Sequence, residues 1–137
     1  MILLGYDEAV ANWVGSITGK PFHTVDSTIG WVTPEGRLTG GFVFTGFNGS
    51  SIELSLAGHG VTHRGLWRAI LSYVFDQLKA DRIQIHTATS NVTVRKLAPR
   101  LGFAFEGKSR RYYGQEDAFV YSLVRDDLPS FRKRWML

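Results

Sequence analysis

The sequence predicts one mixed α/β domain in which an antiparallel meander passes through a helix into a parallel strand. Three observations carry this expectation. Residues 51–57 alternate, with Ile52, Leu54 and Leu56 on one side and Ser51, Glu53 and Ser55 on the other, the period of a half-buried strand. They run through Gly58, Gly60 and Gly65 into residues 66–78, where Leu66, Trp67, Ile70, Leu71, Val74, Phe75 and Leu78 recur at three- and four-residue spacing. That spacing marks the apolar face of a helix lying on a sheet. Upstream, Pro34-Glu35-Gly36 and Asn48-Gly49 are turn signals that separate apolar runs at 28–32, 38–47 and 51–57. Downstream, residues 82–87 (Arg-Ile-Gln-Ile-His-Thr) alternate again. A strand reached through a helix from its neighbour lies parallel to it, by a right-handed crossover.

The remaining elements follow in order. Asp7 is placed to cap a first helix, with Val10, Trp13, Val14 and Ile17 as its stripe and Gly19 as its stop. Residues 20–26 lack periodicity and read as a loop. In the run 38–47, Phe42 and Phe44 share one face and Val43 the other, so the strand is expected to be buried on both sides. Asn91 is an N-cap for a helix carrying Val94, Leu97, Ala98 and Leu101, closed by Gly102. Pro99 predicts a kink or an early end to that helix. Strands at 103–106 and 118–124 are joined by a polar stretch, and residues 125–137, basic and aromatic, read as a short closing helix.

Composition narrows the functional classes. At 137 residues, 44% hydrophobic and 20% charged, the chain has the balance of a water-exposed globular fold. No apolar run approaches the ~20 residues of a membrane span, so no membrane partner is expected. The opening Met-Ile-Leu-Leu-Gly-Tyr lacks the basic flank and length of a secretion signal. With 0 Cys there is no disulfide or thiol chemistry, and a cytoplasmic location is the simplest expectation. The 4 histidines are scattered, so no metal site is expected. The net charge of +4 is a modest excess, gathered in Lys108, Arg110 and Arg111 and again in Arg132, Lys133 and Arg134. It attracts phosphates, but it is too small to single out nucleic acid, which remains the less favoured partner.

A strand that leads into a glycine-containing turn and a helix start gathers free N–H groups and the helix dipole at one spot, which suits an anion. Thr62, His63, Arg64 and Arg68 surround that spot. With Asn91 after the parallel strand, the closing run Leu101-Gly102-Phe103, and the strand Phe119-Val120-Tyr121-Ser122-Leu123, the order of features resembles the GNAT superfamily of acyl-coenzyme A-dependent N-acetyltransferases. It is similar in particular to the ribosomal-protein N-acetyltransferase branch and to short GNAT-like proteins of bacteriophages. The resemblance covers roughly residues 28–124. It implies a mostly antiparallel sheet with a parallel pair at the cofactor cleft and helices on both faces. It also implies acetyl-CoA as co-substrate and an amine-bearing protein, peptide or small molecule as acceptor, with a host-cytoplasmic setting for a phage product. Carried over by position, Leu56, Thr62, His63, Arg64, Gly65, Leu66, Trp67, Arg68 and Asn91 are the cofactor-binding residues. Of the family's turn pattern, only the glycine at Gly65 is matched, with Thr62 and Trp67 at its two other marked places. Ala98 stands where the family often has a tyrosine acid.

Direct acetyl transfer needs a base for the amine and an acid for the leaving thiolate. Glu53, pointing away from the apolar face of its strand, is the candidate base, and Tyr112 the candidate acid, with Tyr113 beside it. The alternative for Glu53 is a solvated carboxylate paired with a basic neighbour. His86, alone on its strand, is read as a surface or hydrogen-bonded histidine. The competing function is a GNAT-fold binding protein without catalysis, docking on a host protein. An exposed strand edge near the C-terminus leaves room for a homodimer.

Overall fold

The computed structural model describes residues 1–137. In chain order its elements are β1 (Ile2–Leu3), α1 (Asp7–Thr18), β2 (Ser27–Val32), β3 (Leu38–Thr45), β4 (Ser51–Ala57), α2 (Arg64–Leu71), β5 (Arg82–Ala88), α3 (Val92–Leu101), β6 (Ala104–Ser109), β7 (Ala118–Val124) and α4 (Leu128–Trp135). The strands form one seven-stranded sheet, ordered β1-β2-β3-β4-β5-β7-β6. Every neighbouring pair is antiparallel except β4 and β5, which are parallel. The expected meander and crossover are therefore both present, and β6 forms the exposed edge at the C-terminal side.

Two apolar layers hold the sheet. On one face, Val10, Ala11 and Val14 of α1 pack on Val43 and Ala57. On the other, Leu66, Trp67 and Ile70 of α2, Ala98 and Leu101 of α3, and Leu128 and Phe131 of α4 cover Phe42, Phe44, Ile52, Leu54, Ile83 and Ile85. Phe42, Val43 and Phe44 are wholly buried, as alternation on a doubly covered strand requires. The turn after β4 is pressed onto β3: a Cβ on Gly40 would lie 2.8 Å from Gly60 Cα, so these two backbones touch and only glycine fits.

Three local expectations are corrected, and one short strand joins the sheet unannounced by the sequence. Asp7 does not cap α1, because Tyr6 holds that position. Its carboxylate instead accepts hydrogen bonds from Thr28 N and Oγ1 at 3.0 and 2.8 Å, tying the helix start to β2. Pro99 does not end α3, which continues to Leu101. The proline removes the donor for the Arg95 carbonyl, and that oxygen accepts the Tyr121 hydroxyl instead, at 3.4 Å. The helix read over 66–78 is α-helical only to Leu71 and continues as a π-helical turn, Ser72–Gln77. There Tyr73 meets Phe44 edge-on and shares a 2.6 Å hydrogen bond with Ser27. Finally, Ile2–Leu3 forms an edge strand on β2, which two residues are too few to signal by periodicity.

Candidate active site

The parallel pair is the structural break from which a site is built. β4 and β5 are in register at Ser51–Arg82, Ile52–Ile83 and Glu53–Gln84. Beyond Glu53 both strands continue, to Ala57 and Ala88, but no longer pair with each other. Their outer edges stay bonded, β4 to β3 and β5 to β7. The strands therefore fork, and the backbone groups facing the fork have no ladder partner. A cavity of about 720 Å³ opens there. Its walls come from both sides of the sheet: residues 20–24 after α1 on one face, Asn91 and Val94 of α3 on the other, with Ser55, Leu56, His86 and Thr87 between.

At the fork three side chains meet on the α1 side. Ile83 and Ile85 belong to the opposite core, so Arg82, Gln84 and His86 point this way with Glu53. Tyr112 donates a hydrogen bond to Glu53 Oε1 at 2.8 Å. His86 Nδ1 lies 2.6 Å from the same oxygen, at ion-pair distance but without hydrogen-bond alignment. The His86 and Tyr112 rings stack at 4.0 Å with 6° between their planes. The His86 side chain is 9% exposed and that of Glu53 is 21%, so solvent reaches the carboxylate more readily than the imidazole. Tyr113 closes the group, donating to the His86 carbonyl at 3.1 Å and meeting Tyr112 edge-on.

Burial first, and then the hydrogen bond and charge of Glu53, push the Tyr112 hydroxyl well above the ordinary phenol range. Tyr113 is pushed up to about 12, by burial and then by the charges of Glu53 and Glu116. Both hydroxyls hold their protons at neutral pH. The loop that delivers these tyrosines is fixed at its base, where Arg111 N donates to Asp117 Oδ1 at 2.6 Å. Opposite them, Glu116 accepts from Ser90 N at 2.8 Å, and its carboxyl is held below the usual range chiefly by its bonds to Ser90.

The residues assigned to the cofactor divide into two groups. Leu56 and Asn91 line the cavity. Asn91 also caps α3, its side-chain oxygen accepting from Val94 N at 3.2 Å, which leaves its amide N–H groups for the cavity. Thr62, His63, Arg64, Gly65 and Arg68 stand at the start of α2, on the turn that follows Ala57. His63 stacks on Trp31 at 3.9 Å, and its carbonyl accepts from Leu66 N and Trp67 N. The N–H groups of Arg64 and Gly65 open the helix and have no intrahelical acceptor. A Cβ on Gly65 would find only His63 Nδ1, at 3.8 Å, so packing of the chain itself does not demand glycine there.

The side chains of Leu66 and Trp67 are both wholly buried, turned into the core and away from the helix start. The Trp67 indole donates to the Val61 carbonyl at 2.8 Å and its ring packs edge-on against Phe42, Phe103 and Phe131. The bulk at this position therefore fills the core and leaves the outer side of the helix start clear. His86 was passed over in the sequence because a lone strand histidine carries no pattern. Its parity with Glu53 follows from alternation, but the register that brings them together belongs to the folded sheet.

Neither a protein-family model nor a curated protein matches the sequence. Solved structures do match the fold. A GCN5-related N-acetyltransferase from Brucella melitensis superposes with a TM-score of 0.68 at 21% identity, over 80% of this chain and 56% of that one. Spermidine/spermine N-acetyltransferase SpeG from Vibrio cholerae gives 0.69 at 14% identity, over 95% and 98%. A GNAT-family acetyltransferase from Bacillus anthracis gives 0.57 at 20%, over 72% and 66%. This chain has the GNAT fold. It spans 64%, 61% and 64% of the length of three further acetyltransferases with which it superposes. The forked pair is the one parallel pair of the sheet, as the resemblance implies. No helix is long and apolar enough to cross a membrane.

Proposed function

We propose that the protein is an N-acetyltransferase that moves an acetyl group from acetyl-CoA to a primary amine of a protein, peptide or small molecule. The observation that carries this reading is the fork: a cavity through the sheet, with unpaired strand edges along it and the Glu53–His86–Tyr112 cluster at its apex. The residues present suit a long phosphorylated thioester. Strand edges without partners accept and donate hydrogen bonds to an extended amide-bearing arm. The Arg64 and Gly65 N–H groups with the Arg64 and Arg68 side chains offer a diphosphate a helix N-terminus and charge-assisted bonds. The open space over Gly65 admits that group to the backbone.

The transfer forms a C–N bond and breaks a C–S bond, with one proton leaving the amine and one returning to the thiolate. Glu53 takes the first, in contact with the acceptor half of the cavity. His86, stacked on Tyr112 with its Nδ1 beside the same oxygen, shields that side of the carboxylate from solvent. Once Glu53 is protonated, its charge is gone and it accepts more weakly from Tyr112, which relieves two of the causes that raise the Tyr112 pKa. Tyr112 then becomes the better acid and supplies the second proton. No covalent intermediate on the enzyme is needed, consistent with a chain of 0 Cys.

The test is calorimetric titration with acetyl-CoA, alongside coenzyme A and ATP. Micromolar binding of acetyl-CoA, with ATP far weaker, supports the enzyme and justifies an acceptor screen. No binding at millimolar acetyl-CoA overturns the reading and leaves a GNAT-fold scaffold for a protein partner.

A further inference from the structure

Three Ser and Thr side chains are buried in this protein: Thr28, Thr87 and Ser122. Thr28 Oγ1 donates to Asp7 at 2.8 Å, and Ser122 Oγ donates to Glu106 at 2.8 Å. Thr87, 3% exposed, is the exception, for its Oγ1 has no hydrogen-bond partner. A buried hydroxyl without a partner costs stability, and valine would fill the same volume without that cost. Thr87 also lines the cavity, on the unpaired stretch of β5 beyond the Glu53–Gln84 register. The unmet hydroxyl thus belongs to a residue of the cavity wall and has no acceptor within the chain.

The strand tells which part of the ligand. Thr87 follows His86, so their side chains leave opposite faces of the sheet. His86 turns to Glu53 and Tyr112 on the α1 side, while Thr87 shares the parity of Ile83 and Ile85 on the α2–α3 side. A group lying through the fork therefore has a proton-accepting cluster on one face and a lone hydroxyl donor on the other. An amine arriving from the cluster side attacks a carbonyl whose oxygen is met from the far side.

We infer that the Thr87 hydroxyl donates a hydrogen bond to the acyl carbonyl oxygen of the bound thioester, an inference that rests on the acetyl-transfer reading of the fork. The bond is charge-assisted as negative charge develops on that oxygen, so it contributes more to turnover than to ground-state binding.

The experiment compares Thr87→Val and Thr87→Ser with the unaltered chain, using calorimetry with acetyl-CoA and with coenzyme A, single-turnover rates, and thermal melting without ligand. Thr87→Val is expected to lose about 10-fold in acetyl-CoA affinity and ~10- to 100-fold in rate. Its coenzyme A affinity stays unchanged, and Thr87→Ser restores both losses. Its melting temperature stays equal or rises, because an unpaired buried hydroxyl is gone. Unchanged affinity and rate in Thr87→Val overturn the inference, since the hydroxyl then makes no contact with the ligand. Equal losses for acetyl-CoA and coenzyme A overturn it too, placing the contact along the cofactor arm. A lowered melting temperature assigns the hydroxyl a structural role and counts against it. If the unaltered chain binds neither ligand, the acetyl-transfer reading itself falls and takes this inference with it.

Discussion

The two ends of the β4–β5 pair use the same alternating pattern for different purposes. At the Ser51–Glu53 end the strands are in register, and Ile52 and Ile83 are wholly buried beneath α2 and its neighbours. At the Ser55–Ala57 end the same two strands part, and the nearby polar atoms His86 Nδ1 and Thr87 Oγ1 are buried without hydrogen bonds. The first end is a finished piece of sheet, and the second leaves hydrogen-bonding capacity unspent. The difference shows that this fold gains its binding capacity where it gives up ladder pairs, on a base held by the core immediately beside it.

Mutations at the two ends should separate stability from function. The largest effect is expected at the paired end, where Ile83→Ala removes wholly buried apolar volume and should cost about 2–5 kcal/mol in chemical denaturation. Ser55→Ala, on the parted stretch, should stay within about 0.5 kcal/mol. Similar losses at both would break the comparison. Gly65→Glu puts a carboxylate into open space beside the helix start, so folding should be retained while acetyl-CoA affinity falls by at least about 100-fold in calorimetry. Retained affinity would remove the helix start from the binding site.

Glu53→Gln should slow turnover by about 100-fold with acetyl-CoA affinity nearly intact. The same variant should let Tyr112 ionise at lower pH in an absorbance titration, because the acceptor bond and charge that raise its pKa are weakened or lost. A normal rate would exclude Glu53 as base, whatever the titration shows.

The smallest effect concerns Glu106, which lies apart from the cleft. The Arg82 guanidinium, 2.5 Å away, holds the Glu106 carboxyl down at about 2 from an ordinary 4.5, with further help from Ser122. A carboxyl lowered on folding stabilises the native state above pH 4.5, and that contribution fades as the pH falls toward about 2. Glu106→Gln should flatten acid denaturation in that window by less than about 1 kcal/mol, since both partners are partly exposed. An unaltered acid profile would show that the pair contributes nothing to stability.

Much of the fold was legible because its signals are local. The alternation of residues 51–57 and 82–87, the turn glycines, and the Asn91 cap each depend on neighbours within a few residues, and each element formed at nearly the expected place. Glu53 and Tyr112 were legible as residue types suited to proton transfer, but their meeting was not. They are far apart in sequence, and the loop after β6 has to fold back across β5 before the 2.8 Å bond can form. For Trp67, position in a motif does not say which way the side chain turns. Its indole is held inward by Val61 and by aromatics from β3, from α4 and from Phe103 between α3 and β6.

Periodicity and turn chemistry are properties of short segments, so the order of the longer strands and helices, the parallel crossover, and the apolar face of each of those strands are already written in the residues. Where β4 and β5 stop pairing, which of the alternating polar residues meet at that point, and that Thr87 is left without a partner emerge on folding. Those outcomes depend on register and on packing from both faces of the sheet, which no short segment encodes alone.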